Sequence, residues 1–381
     1  MDKVTRRRFL TMSGVTAAGA LAAGATQVNW SDLLSAAQHD PLPEGSGILV
    51  VVTLYGGNDG LNTVVPAADP AYQDARRELA YEPQDVLGLG ENLGLNPGMT
   101  GLKSLWDGRQ LAVVRGVGYP EPDHSHFRSM AIWQTASPDG PDRTGWLGRW
   151  LDTAGDDPML ALSVEPTVPP LLAGENVAGA SMPVSGLQLP TGPLGEAFLA
   201  LGAPQAGEAA DAARAAKSIA DLKEAARLLG EAKARQREDQ DEDEDEDEER
   251  TEGASAGGRG ALGAQLDLVA TLIEAALPTR AYTVSLGGFD THANERGTQE
   301  RLLTEMDRAL SGFVERMGRS DRGRDVVVLV YSEFGRRVRA NASQGTDHGT
   351  AGPAFLLGEG IRGGFYGRQP SLTDLVDGDL R

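Results

Sequence analysis

Two stretches of the chain, Gly47–Tyr55 and Asp325–Tyr331, run apolar residue after apolar residue without alternation. A strand with one wet face alternates, so these runs read as strands buried on both faces. Such strands need a covering layer on each side, and this requirement constrains the fold more than any other feature. Leu111–Arg115, Ala281–Leu286 and the shorter Ala354–Leu357 are further strand candidates. Helical patterns lie between them, around Met99–Trp106, Arg128–Thr135, Leu262–Ala276 and Thr298–Met317. Strands alternating with helices argue for an α/β fold with a mostly parallel sheet and helices on both sides. Pro158–Pro193, rich in Pro and Gly, predicts irregular strands and loops beside the main sheet.

The charge narrows the function classes. A net charge of −20 lacks the basic footprint of a nucleic-acid binder. Eleven acids fall in the twelve residues Glu238–Glu249, so the rest of the chain carries −20 + 11 = −9. That run should repel itself, and residues 204–260 read as an acidic, largely disordered insertion. Cysteine is absent, which excludes disulfides, thiolate metal sites and a cysteine nucleophile. No apolar run approaches the ~20 residues of a membrane span.

The first forty residues read as an address, with the folded domain at 45–381. Arg6-Arg7-Arg8-Phe9-Leu10 precedes a weak apolar stretch, Met12–Ala25, rich in Gly and Ala. The twin arginine followed by x-Phe-Leu points to Tat export. Ala23-Gly24-Ala25 fits a small-x-small cleavage site, with Ser35-Ala36-Ala37 as the alternative. The expected destination is the periplasm, the cell surface or the medium.

Each strong strand runs into polar, Gly-rich sequence: Gly56–Asn62, Asp123–Arg128, Gly287–Glu295 and Ser332–Arg337. Gly345–Gly349 sits just ahead of the short fifth strand. Open α/β sheets bind ligands outside the carboxyl ends of their strands. Of the five histidines, His124, His126, His292 and His348 all fall in these segments. Taken singly, each has a plain reading as a turn, a helix cap or a solvent-facing ring. Taken together they predict acids and imidazoles crowded at one rim, where a bound cation would hold the acids ionised. Imidazole with carboxylate suits Zn, Mn or Fe; oxygen ligands alone suit Ca or Mg.

These segments together resemble domain-of-unknown-function family 1501, exported proteins related to the alkaline phosphatase and sulfatase superfamily. The resemblance rests on Leu54-Tyr55-Gly56-Gly57-Asn58-Asp59-Gly60-Leu61-Asn62-Thr63-Val64-Val65-Pro66, Ser125-His126-Phe127 and Gly145-Trp146-Leu147-Gly148-Arg149. It continues through Gly288-Phe289-Asp290-Thr291-His292, Ser332-Glu333-Phe334-Gly335-Arg336 and Thr346-Asp347-His348-Gly349. It implies a three-layer α/β/α sandwich of the alkaline-phosphatase type. It also implies a divalent metal (Zn, Mn, Ca or Mg) held by Asp59, Asp290, His292, Glu333 and His348. Ser125 at a helix start looks like the nucleophile, with Ser129 as the alternative. His126 and Arg128 would assist catalysis, and Arg336 would serve either the substrate or a structural ion pair. The implied activity is metal-dependent hydrolysis or transfer of phosphate or sulfate esters; the alternative is a non-catalytic exported binding or envelope-assembly protein. The implied partners are the Tat machinery and an anionic ester.

Three departures stand out. Phe334 follows Glu333 where a His ligand is expected, Asp290 and His292 are closer than D-x-x-x-H, and no C/S-x-P-x-R setting for formylglycine is present. Members of the family tend to continue into a closing helix, so the end at Arg381 is expected to be a truncation.

Overall fold

The two unalternating runs lie side by side in the middle of a nine-stranded sheet. The computed structural model describes residues 26–28, 30–138, 143–165, 167–182 and 261–380. The twin-arginine segment and the insertion at 204–260 lie outside the described residues. The strands in chain order are β1 (Thr26–Gln27), β2 (Ile48–Leu54), β3 (Val64–Val65), β4 (Leu87–Gly90), β5 (Leu93–Leu95) and β6 (Leu111–Val117). They continue with β7 (Ala161–Ser163), β8 (Ala180–Ser181), β9 (Ala281–Leu286), β10 (Val326–Ser332), β11 (Gly352–Leu357) and β12 (Gly364–Tyr366). The large sheet has the order β1-β8-β7-β9-β2-β10-β11-β6-β12, and β3-β5-β4 form a small antiparallel sheet apart from it. In the large sheet only β11 runs against its neighbours; the other pairs are parallel.

The helices are α1 (Trp30–His39), α2 (Gly60–Thr63), α3 (Pro70–Arg76) and α4 (Thr100–Asp107), then α5 (His126–Thr135), α6 (Trp146–Ala154), α7 (Ala261–Glu274) and α8 (Glu295–Gly318). Successive side chains of a strand point to opposite faces. Val50, Val52 and Leu54 therefore pack with Val328 and Val330 against Leu102 of α4, Leu266 and Val269 of α7, and Leu303, Met306 and Leu310 of α8. Val51 and Tyr331 look the other way, toward Met130 of α5 and Leu147 and Leu151 of α6. Both faces of the central strands are thus dry, and the result is the expected three-layer α/β/α arrangement. Each fully buried Leu or Val contributes about 1.5–3 kcal/mol. The helical layer is also tied by a polar contact: Asp307 of α8 accepts from the backbone N–H of Gly101 (2.9 Å) and Leu102 (2.6 Å) at the start of α4.

The five strands and four helices read from the sequence are present at close to the expected bounds. Pro158–Pro193 yields β7, β8 and two single 3-10 turns within its described part. Within the stretch read as leader, Thr26–Gln27 pairs with β8 at the sheet edge, and Leu33 of α1 is buried in the main core.

What positions the site is the common end of β2, β9 and β10. The register pairs Leu54 with both Leu286 and Ser332, so the three strands finish level. β6 runs parallel to them and leads into α5, while antiparallel β11 begins at the same edge. All five polar segments therefore reach one rim. Glycine is required there: a Cβ on Gly56 (φ 115°) would sit 2.5 Å from the backbone N of Asp290, and one on Gly57 (φ 70°) would sit 2.2 Å from the Phe334 ring.

Candidate metal centre

The segment after β9 contributes Asp290, the start of α5 contributes His126, and the turn before β11 contributes His348. One ligand atom from each lies within 4.8 Å of the others. His126 Nε2 is 3.4 Å from Asp290 Oδ2, and His348 Nε2 is 3.1 Å from Asp290 Oδ1. His292 closes the group, with its Nε2 3.0 Å from Asp290 Oδ1 and 3.0 Å from His348 Nε2.

Both flanking imidazoles are held from behind. His126 Nδ1 donates to Glu333 Oε1 at 2.8 Å, and His348 Nδ1 donates to the carbonyl of His124 at 2.7 Å. A carbonyl only accepts, so the proton of His348 is fixed on Nδ1. In the neutral ring this leaves the Nε2 lone pair facing Asp290. His126 repeats the pattern, and its Nε2 is buried with no hydrogen-bond partner. A carboxylate behind an imidazole whose other nitrogen faces a shared centre is how metal-binding histidines are commonly oriented.

Two lone pairs aimed at a carboxylate repel it unless a cation intervenes. Without a metal, a proton fills that place. Burial alone would lower the His126 pKa, but Asp290 and Glu333 more than offset it and raise it to about 9. Burial would likewise raise the Asp290 carboxyl, yet His126, His348 and Arg336 hold it well below the usual carboxylate range. The donor set of two imidazoles and a carboxylate fits a divalent cation, and its nitrogen content suits Zn or Mn better than Ca or Mg.

Glu333, expected as a ligand, has another task. It is 2% exposed and its Oε1 also accepts from the Gly56 N–H at 2.9 Å. Trp133 of α5 donates to its backbone carbonyl at 2.8 Å, locking the helix that carries His126 to the end of β10. His126, expected in catalysis, is placed between Glu333 and Asp290. The Phe334 ring, where a histidine was expected, packs 4.9 Å from the rings of both His126 and His348.

Asp59, also expected as a ligand, is fully buried, and its two oxygens accept from Arg76 Nη1 (2.5 Å) and Nη2 (2.8 Å). Its Oδ1 additionally caps α2 through the Leu61 N–H at 3.2 Å. Glu295 lies beside it, with Oε1 3.9 Å from Arg76 Nη1. Burial and the adjacent Asp59 charge push the Glu295 carboxyl well above its usual range, while Arg76 outweighs burial and keeps Asp59 low. Glu295 therefore holds its proton more tightly than an exposed carboxyl does.

The arginines are also engaged. Arg336 is 1% exposed and donates to the carbonyls of Gly57 (2.6 Å), Thr346 (3.0 Å), Phe289 (2.9 Å) and Gly56, and to Asp290 Oδ1 (2.7 Å). It fastens three other rim segments to its own and is buried away from any substrate. Arg128 is turned to the carbonyl of Pro138 at 3.2 Å. Ser125 is exposed at the N-cap of α5 without a side-chain capping bond. Ser129 is fully buried, its hydroxyl donating to the Asp123 carbonyl at 2.6 Å, which removes it as an accessible nucleophile.

Sequence reasoning gave His124 no separate role, although it lies in a singled-out segment. Its carbonyl orients His348, and its ring Nε2 is 2.8 Å from Asp379 Oδ2. Among the described residues no helix is long and apolar enough to cross a membrane.

The model of a family described as "Protein of unknown function (DUF1501)" matches residues 194–378. This stretch includes the Asp290, Glu333 and His348 segments, and the resemblance is shown over it. The segments around Asp59 and Ser125 precede it. Among solved structures, the crystal structure of a protein in the alkaline phosphatase superfamily from Vibrio parahaemolyticus is similar at 12% identity, over 97% of this chain and 72% of that one, with a TM-score of 0.41. No curated protein matches the chain.

Proposed function

With residues 194–378 carrying the pattern of that family, we propose that the chain is an exported, metal-dependent hydrolase or transferase of phosphate or sulfate esters. The observation that carries this reading is the pair of imidazoles, each tied through Nδ1, that turn Nε2 onto Asp290. His126, Asp290 and His348 would hold the ion, with His292 adjacent. A divalent ion supplies Lewis-acid polarisation of an ester oxygen. The protein's own part is to fix the three ligands through Glu333, the His124 carbonyl and Arg336. Ser125, which directly precedes His126 at the start of α5, would attack, and the positive end of the helix dipole favours an anion there.

The test is loading of stripped protein with Zn²⁺ or Mn²⁺, followed by assay of aryl phosphates and aryl sulfates. Stoichiometric metal lost in His126→Ala and His348→Ala, with turnover lost in Ser125→Ala, is the expected result. Absence of metal dependent on these histidines would end the reading.

A second reading has its own support. Arg336 and Arg128 are both engaged, and Phe334 stands in place of a further ligand. These features favour an exported binding protein that retains one metal. Metal bound without turnover on a broad ester panel would select it.

Export itself rests on the twin arginine. Thr26 opens a strand paired in the sheet, so cleavage after Ala25 leaves β1 and α1 intact, whereas cleavage after Ala37 would remove buried Leu33. The expected N-terminus of secreted protein is Thr26, and Arg6→Lys with Arg7→Lys should hold the precursor inside the cell. A mature start at Gln38 would contradict the packing.

A further inference from the structure

The turn Val376–Asp379 reaches back across the rim to the segment before α5. Val376 and Asp379 exchange backbone hydrogen bonds of 3.0 and 2.9 Å, which closes the turn. Leu380 is buried against the cluster that includes Leu61, Tyr72 and Val338, and its carbonyl accepts from Thr350 Oγ1 at 2.6 Å. The backbone at Asp379 is therefore pinned, and the residue is 4% exposed. Its carboxylate meets His124 Nε2 at 2.8 Å, and Arg337 Nε lies 3.5 Å from its other oxygen. The backbone carbonyl of the same His124 takes the Nδ1 proton of His348 at 2.7 Å. The path from Asp379 to the metal cluster is thus two contacts long.

We propose that Asp379 is a positioning residue of the metal centre: by anchoring the His124 ring it fixes the His124 carbonyl, which sets the tautomer and direction of His348. The inference rests on the metal reading above. The His124 ring is 42% exposed, so without Asp379 little else restrains it. The carbonyl would then be free to move, and His348 could turn Nε2 out of register with Asp290. Partners that orient a metal-binding histidine change affinity by about 10–100-fold when removed.

The experiment is titration of stripped full-length protein with Co²⁺, read by calorimetry and by the visible absorption of the bound ion. Asp379→Ala is expected to weaken Co²⁺ binding at least ~10-fold and to shift the spectrum, in keeping with loss of an orienting partner. Asp379→Asn, which keeps an acceptor for His124, should recover part of the loss. His124→Ala should weaken binding similarly, and the double variant should be no worse than either single one, because both cut the same link. Thr350→Val controls for general loosening of this segment, since it removes the neighbouring bond to Leu380 but leaves Asp379–His124 intact; it should change affinity less than threefold. Wild-type affinity and spectrum in Asp379→Ala, or equal weakening in Thr350→Val, overturns the proposal while the metal site stands. No Co²⁺ binding by the wild type overturns the metal reading as well.

Discussion

Two acid clusters sit at the same rim, each with a buried arginine, but only one of them also faces imidazoles. Asp59 and Glu295 are buried with Arg76, which is itself fully buried and donates to both oxygens of Asp59. Asp290 is half exposed; Arg336 donates to its Oδ1 from the buried side, and His126, His292 and His348 face it from the other. The first cluster carries its cation within the chain and has no room for another. The second has nitrogen lone pairs directed at a carboxylate and would gain from an external ion. An acid after a strand is thus left open to a cation or closed off according to which bases the tertiary fold brings to it.

The sharpest way to break this comparison is to exchange stability for metal as the readout. Arg76→Ala removes one side of a wholly buried ion pair, and such a loss costs about 3–5 kcal/mol. His348→Ala, at a partly exposed position, should cost under about 1 kcal/mol in chelator. Urea unfolding of both variants checks the first half, and metal content checks the second: Arg76→Lys, if folded, should keep its metal, whereas His348→Ala should lose it. Equal destabilisation by the two would mean the clusters are not distinct in kind.

Glu333 sharpens the boundary between ligand and support. It is buried like Asp59, yet it bonds to His126 rather than to an arginine. Glu333→Gln keeps the size and an acceptor oxygen but weakens the hold on Nδ1. Metal affinity should fall about 10–100-fold without loss of stoichiometry. A loss of the site altogether would restore Glu333 to the ligand role that its motif suggests.

Much of the scaffold was legible in the sequence because non-alternating strands leave few options. β2 and β10 announced a sheet covered on both faces, and the polar segment after each strand announced a shared rim. The reversed direction of β11 was not legible, since a short apolar run carries no sign of its polarity. β3 and β5, of two and three residues, are too short to show a period. The site was legible as a set of segments but not as a set of roles. Nothing in the spacing from Asp59 to Arg76 shows that α3 will turn a guanidinium onto that carboxylate. The spacing also does not show that Glu333 stands behind His126, because a sequence does not say which imidazole nitrogen faces inward. Asp379, remote from every motif, could be found only through its contact with His124.

The smallest expected effect tests the raised carboxyl in the buried cluster. Glu295 has a folded pKa raised well above 4.5, mainly by burial and then by the Asp59 charge, with Arg76 acting in the opposite sense. A raised carboxyl binds its proton more tightly folded than unfolded, so its contribution is fully present below the unfolded value and is lost as pH rises through the folded one. Asp59 is lowered from 3.8, so its contribution is present above that value and disappears as pH falls through the folded pKa. The pair therefore makes stability fall on both the acid and the alkaline side. Glu295→Gln is permanently neutral, in place of the protonated carboxyl. It should leave the acid limb, which belongs to Asp59, and flatten the alkaline limb. The measurement is urea unfolding in chelator from about pH 2 to about pH 9, with the variant's slope compared with that of the wild type on each limb. An unchanged alkaline limb would show that Glu295 is ionised in the fold, and Arg76 would then be shared between two charges instead of belonging to Asp59.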